Sequence, residues 1–500
     1  MCIRDSGECG SGVFPNARHG AVGFIDIYTR VRVTKLFGER HLLIANLYNK
    51  RLPMKLRLML VVLGAGALWA QQPTALAIHN ARIVPVNGPV IAKGTVVVRN
   101  GLIESVGPDG NIPADAWVLE GDGLTVYPGL IDSLSTIGLP DEAPPAPGRT
   151  GAPPATPATP PPAPASTTPP ARGPEDRPST YSWQRAADMI KTSDRRLEVA
   201  RAAGFTTAVT FSHKGIFAGQ GAVIDLAGDT TGKMVVAENV GQYVTTATGG
   251  FGSGYPASLM GVFAYIRQIY LDADHYKKAR QMYAAHPAGM ERPEYDRALE
   301  GVLASPQVLL PATRRIDVDR MIRFANELKI HPVLYGIPEA YRSVDLLKRS
   351  GVPVLLSLKW PAKPQETNPD DVDELRALQT RDQAPSAPAL LAKNGVKFAF
   401  FADGMERRTD LFPAVKRALD AGLSQDDAVR ALTLTPAEIY GVADRLGSIE
   451  KGKIANLLVT KGDLFQEKTE VKFVIVDGVK YEPVEEPPPA RPTLERSNIQ

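Results

Sequence analysis

The chain has 500 residues, with 57 Lys and Arg against 54 Asp and Glu, a net charge of +3, 44% hydrophobic content and 22% charged content. These proportions exclude a disordered or membrane-embedded chain. With no basic cluster interleaved with aromatic residues, they also argue against a nucleic-acid partner. The length suits one large domain with a smaller one attached.

Residues 1–53 are read as an extension outside the exported protein, because Met54 opens a secretory layout. MKLRLMLVVLGAGALWAQQ has two positive charges, an apolar run from Leu58 to Leu68 and small residues near Ala70. Residues 54–70 are therefore expected to be a signal peptide, and the protein periplasmic or secreted. The apolar run is too short for a stable membrane span, which needs about 20 residues. Both cysteines, Cys2 and Cys9, precede Met54. The exported chain then has no disulfide, and any metal would need His, Asp or Glu ligands.

Residues 74–127 read as short β-runs punctuated by turns. Asn100-Gly101 and Asp122-Gly123 supply the positive φ that two-residue hairpins require. Strands of the same style return at 447–482 with an Asp477-Gly478 turn, so the two ends are expected to build a small composite β-sandwich. Between them, 128–446 alternates apolar strands with amphipathic helices. VYPGLID is followed by TTAVTF (206–211), GAVIDLAG (221–228), MVVAENV (234–240), QVLLPA (307–312), HPVLYGI (331–337), VPVLLSL (352–358) and VKFAFFAD (396–403). Helical spacing marks 318–329, 340–351, 411–422 and a long stretch from Pro256 to about His286. This α/β alternation predicts a (β/α)₈ TIM-like barrel. Residues 143–174, with 13 prolines, and the tail 483–500 lack the apolar side chains needed to order themselves.

IHNARIV, NGLIESVG, VYPGLID and AVRALTLTPAEIYGVADRLGSIEKGKIANLLV, in that order, resemble the amidohydrolase superfamily, in the branch of imidazolonepropionase-like exported enzymes. The resemblance spans about Ala75 to Tyr481. It implies a barrel with a β-sandwich, zinc or another divalent metal, and hydrolysis of non-peptide carbon–nitrogen bonds. The implied ligands are a His-x-His pair after the first strand, often a modified lysine or a carboxylate after the fourth, where MVVAENV has no lysine, histidines after the fifth and sixth strands and an aspartate after the eighth. In this chain the histidine places hold Leu134 and Thr136, Pro311 and Tyr335, and the aspartate's place holds Asp403; only the aspartate matches. One aspartate cannot hold a catalytic zinc, which needs three protein ligands, so no metal ligand and no cofactor is assigned.

His213 in TFSHKG and Asp403 are the candidate catalytic residues, with Lys214 and Tyr335 as candidate substrate contacts. A base, a cation and a carboxylate converging there would suit proton transfer or binding of an anionic ligand. Against this, His213 could be a loop histidine bonded to backbone, and Asp403 could merely hold its loop. Asp132 is read as a brace for its strand end. His331 is expected at the opposite end of the barrel, His79 in the terminal β-region, and His275 and His286 on a solvated helix face. GDTTGKM lacks the spacing of a phosphate loop, and GGFGSGY (249–255) reads as a flexible loop. Two functions remain open: a hydrolase with a rebuilt site, and a non-catalytic barrel that binds a small molecule. Homo-oligomerisation or pairing with an active homologue is the expected macromolecular association.

Overall fold

The computed structural model describes residues 75–108, 110–140, 174–246, 255–363, 373–405, 407–466 and 468–483. Expectations for 1–53 and 54–70, and for nearly all of 143–174, 249–255 and 483–500, lie outside the described residues. No described helix is long and apolar enough to cross a membrane.

Strands β1 (Ala75–Ile83), β2 (Ile91–Arg99), β3 (Leu102–Gly107), β4 (Ala116–Glu120) and β5 (Leu124–Pro128) open the chain. Strands β6 (Leu130–Ser135), β7 (Phe205–Thr210), β8 (Phe217–Gln220), β9 (Ala222–Asp225), β10 (Val235–Ala237) and β11 (Gln242–Val244) follow. Then come β12 (Val308–Pro311), β13 (Pro332–Tyr335), β14 (Val354–Ser357) and β15 (Phe398–Phe401), and last β16 (Leu457–Lys461), β17 (Glu470–Val476) and β18 (Val479–Tyr481).

Both ends of the described chain meet in one eight-stranded sheet, ordered β18-β17-β16-β5-β1-β2-β3 with β4 beside β1. Two expected hairpins form. Asn100 (φ 52°) and Gly101 (φ 80°) turn β2 into β3, and Asp477 (φ 48°) and Gly478 (φ 78°) turn β17 into β18. The third does not. β4 and β5 both run parallel to β1 at successive places along it, so Asp122-Gly123 joins two strands that do not pair with each other. The Gly121 N–H donates to the His79 carbonyl at 2.7 Å, and a Cβ on Gly121 would stand 2.6 Å from that of Ala81. This close approach, invisible to local turn chemistry, redirects the chain.

The middle of the chain forms a barrel-like α/β arrangement in two sheets, β10-β9-β7-β6 and β15-β14-β13-β12-β11-β8. Strands β11 to β15 are parallel, as are β6 and β7. Two details depart from the sequence expectation. GAVIDLAG forms β9, which runs antiparallel to β7, and MVVAENV supplies only the short edge strand β10. The parallel neighbour of β12 is instead β11, three buried residues too short to show any periodicity.

The two sheets are joined by one extended stretch. β8 pairs with β11 and β9 pairs with β7, so residues 217–225 cross from one sheet to the other at Gly221. A Cβ on Gly221 would lie 2.2 Å from the Phe211 ring, which is why the crossing residue has no side chain. Along β12 to β15, Leu309, Val333, Leu355 and Ala399 belong to one buried cluster with Phe211, Tyr243 and Tyr440. The alternate residues Leu310, Leu334, Leu356 and Phe400 face a second cluster shared with the helices. Burial on both faces explains why these strands read as continuous apolar runs. The long helix expected after Pro256 spans Leu259–Ala285, with the Ser258 hydroxyl accepting from the Gly261 N–H at 3.1 Å.

A buried polar network joins these strands to the terminal sheet. Asn456 donates to Asp225 at 2.6 Å and to Thr207 at 3.0 Å, while its amide oxygen accepts from the Asp477 N–H at 2.8 Å. Burial above all pushes the Asp225 carboxyl from 3.8 up to about 7. Between those values the folded chain holds a proton that the unfolded chain releases, so this group's contribution to stability falls as pH rises through the window and levels off above it. Asp225→Asn is expected to abolish that dependence and to raise stability at pH 8 relative to pH 4 by on the order of a few kcal/mol against the parent, read from urea midpoints at the two pH values.

Candidate functional site

The carboxyl ends of the parallel strands surround a cavity of about 600 Å³ lined by Asp132, Thr136, His213, Tyr335 and Asp403, with Lys359 and Trp360 on its wall. Barrel-type sheets place ligand sites at this end because loops, rather than ladder hydrogen bonds, shape it.

Asp132 on β6 is 1% exposed, and its Oδ1 accepts from the Ala402 N–H at 3.0 Å. Beside it, the Ser133 hydroxyl donates to the Phe400 carbonyl at 2.7 Å. These side-chain bonds join β6 to β15, where no strand ladder forms among the described residues. Asp403 follows β15 in a left-handed conformation (φ 53°) and accepts from the Ser357 hydroxyl at 2.9 Å. That hydroxyl in turn accepts from the Lys359 N–H at 3.0 Å.

His213 stacks on Tyr243 with ring centroids 4.6 Å apart, and Tyr243 stacks on Tyr335 at 5.0 Å. The Tyr335 hydroxyl donates to the Val244 carbonyl at 3.1 Å. Burial first, then the charge of Asp403, pushes the Tyr243 phenol up to about 12. Burial also raises Tyr335 and Tyr440, the latter donating to the Ser133 carbonyl at 2.7 Å. At neutral pH all three phenols remain hydroxyl donors.

His213, Tyr335 and Asp403 thus share the cavity. Lys214 does not line it; its ammonium lies over the Tyr181 ring, 5.1 Å from the centroid. The cation on the wall is Lys359, two residues beyond Ser357, and its position just past the end of VPVLLSL was the signal that could have found it. Arg196 also lines the cavity. It is held by Asp194 at 2.8 Å, by the Thr136 hydroxyl at 3.1 Å and by the Leu139 carbonyl at 2.6 Å. Its role depends on packing across 60 residues of sequence and had no local signature.

The other histidines lie elsewhere. His79 bonds Thr95 at 3.0 Å within the terminal sheet, and His331 precedes β13, where its carbonyl accepts from Val308 at 2.8 Å. His275 lies on Leu259–Ala285, beside a surface hollow, and His286 caps that helix. In GDTTGKM, Lys233 is paired with Asp229 at 2.8 Å.

A family model described as the amidohydrolase family matches residues 271–480. An amidohydrolase from Thermotoga maritima MSB8 is similar to 81% of this chain over 100% of its own length, at 27% identity and a TM-score of 0.63. Residues 271–480 thus match the amidohydrolase family, and the Thermotoga neighbour supports the superfamily. Less similar solved structures include a Xaa-Pro dipeptidase with bound methionine, at 14% identity, 82% of this chain, 100% of that one and a TM-score of 0.44. Another is phenylurea hydrolase B, at 16% identity, 81% of this chain, 96% of that one and a TM-score of 0.45. No curated protein matches the chain.

Members of this superfamily typically carry a divalent metal, and the residues at this cavity do not fit one. Among the described residues, no three His, Cys, Asp or Glu side chains come together as a metal-ligating group. Leu134 is packed into an apolar cluster, the Thr136 hydroxyl receives Arg196, and Tyr335 is bonded to backbone. Chemically, the cavity offers hydroxyl donors, one ammonium, one guanidinium, one imidazole and two carboxylates.

Asp132→Ala would strand the buried Ala402 N–H and is expected to cost about 1–3 kcal/mol in urea denaturation. Asp403→Asn, at an exposed position whose left-handed backbone asparagine tolerates, is expected to stay within about 0.5 kcal/mol of the parent in the same assay.

Proposed function

We propose that this amidohydrolase-superfamily protein binds a small polar molecule in the strand-end cavity and does not perform the metal-assisted hydrolysis of carbon–nitrogen bonds common in its family. The observation that carries this reading is the engagement of Leu134, Thr136 and Tyr335 in packing and hydrogen bonds at places where the resemblance implies histidine ligands. Metal coordination lowers the pKa of water from about 15.7 to about 7, worth on the order of 12 kcal/mol of nucleophile activation. General acid–base catalysis supplies roughly 3–5 kcal/mol, so imidazole and carboxylate alone leave most of that deficit. A carbonyl or carboxylate in the ligand would meet the Lys359 ammonium, with Trp360 as an apolar wall. The secretory layout at 54–70 supports export, so the ligand would be met in the periplasm or outside the cell.

A second reading is favoured by one contact. The Ser357 hydroxyl held on Asp403, with His213 in the same cavity, supports a rebuilt hydrolase in which Asp403 and His213 move protons.

Elemental mass spectrometry of the exported chain, incubated with zinc, manganese and iron and then desalted, tests the first reading. Substoichiometric metal is the expected result; about one or two retained ions per chain would overturn it. Asp403→Asn and His213→Gln, assayed on amide and dipeptide panels, separate the two readings. The binding protein has no hydrolysis to lose, whereas the rebuilt hydrolase loses about 100-fold or more with its fold intact.

A further inference from the structure

Beyond the cavity lies a second hollow of about 760 Å³, on the far side of the turn that follows β13. Pro338 of this turn lines the cavity, and Glu339, the next residue, lines the hollow. Arg315, Arg342, Arg349 and Arg376 surround it, with Asp319 and Glu339 as its acids.

Both acids are already engaged. Glu339, 4% exposed, receives Arg376 in a two-pronged pair at 2.7 and 2.8 Å and the Arg315 N–H at 3.1 Å. Asp319 pairs with Arg323 at 2.9 Å. Arg342 donates to the neutral amide oxygen of Gln379 at 2.8 Å. Among the described residues, Arg315, Arg342 and Arg349 make no close ion pair with a carboxylate, although Arg342 lies near enough to Glu339 to help Arg376 hold that carboxyl below its usual range. Glu339 also answers the backbone N–H at the start of the helix Arg315–Leu328, so the helix end is already served and the excess charge resides on the three guanidinium groups.

We infer that this hollow is a binding site for a small molecule carrying a phosphoryl group. Three arginines without a close ion pair line one concave surface beside the Arg376–Glu339 pair, and like charges gathered this way repel unless an anion is bound. A singly charged carboxylate would offset only one of them. A phosphoryl group brings up to two charges and several acceptor oxygens, and the planar guanidinium fork matches it through paired N–H donors. Arg315 begins one helix and Arg349 lies near the end of another, Val344–Ser350, so the oxyanion would bridge two elements behind the turn that shapes the cavity.

Isothermal titration of the full exported chain with inorganic pyrophosphate at low ionic strength tests the assignment, with citrate as the comparison anion. Saturable binding of pyrophosphate that weakens as salt rises is expected. The Arg342→Gln, Arg349→Gln double variant is expected to lower affinity at least tenfold with an unchanged melting temperature in the absence of ligand. Arg315→Gln, on a different helix, is expected to weaken binding independently, so the assignment remains testable if the double variant unfolds. Absence of saturable heat, or unchanged affinity in the folded variants, would overturn the site. Binding of citrate tenfold tighter than pyrophosphate would overturn the phosphoryl assignment.

Discussion

The Asp132 carboxylate, accepting the N–H of Ala402 from inside the protein, holds together the two strands on which the candidate site depends. β6 carries Leu134 and Thr136 to the cavity, and β15 delivers Asp403 to it. With no strand ladder between β6 and β15 among the described residues, side chains form the link: Asp132, Ser133 and, through Tyr440, the helical turn at 434–439. Such buried bonds are strong in place and costly to break, because the partner left behind has no water to turn to. A carboxylate at the start of a barrel site thus serves as a structural brace here.

That constraint bears on the chemistry. In a superfamily that typically places metal ligands on strand ends, the corresponding side chains here are packed or bonded to the protein itself. Tyr335 donates to backbone, Thr136 anchors Arg196, and Leu134 fills an apolar cluster. The stacked rings of His213, Tyr243 and Tyr335 pack along one side of the cavity, and burial keeps the phenols protonated. The cavity is therefore lined by hydroxyls, aromatic rings, the His213 imidazole, two carboxylates, the Lys359 ammonium and the Arg196 guanidinium.

The continuous apolar runs at 307–312, 331–337, 352–358 and 396–403 were legible because strands buried on both faces need no polar alternation, and the structure places β12 to β15 there. Asn100-Gly101 and Asp477-Gly478 were legible for a local reason, since those residue pairs accept positive φ. Asp122-Gly123 carried the same signal and misled, because β1 offers both flanking strands a better partner than they offer each other. β11 was missed because three residues carry no period, and β9 was given the wrong direction because an apolar run does not record the sense in which it pairs.

The amino-acid sequence by itself determined the α/β class, the resemblance to the amidohydrolase superfamily and the absence of histidines at Leu134, Thr136, Pro311 and Tyr335, since each depends on residue identity and order along the chain. It also brought His213 and Asp403 forward as candidates, because both follow strands at the loop-bearing end. Tertiary structure alone decided that Lys359 rather than Lys214 lines the cavity, that Arg196 reaches Thr136, and that four arginines from separate segments surround one hollow. These are contacts between residues tens of positions apart. Their geometry follows from how helices and strands pack, a sum over many weak interactions that no short window of sequence contains.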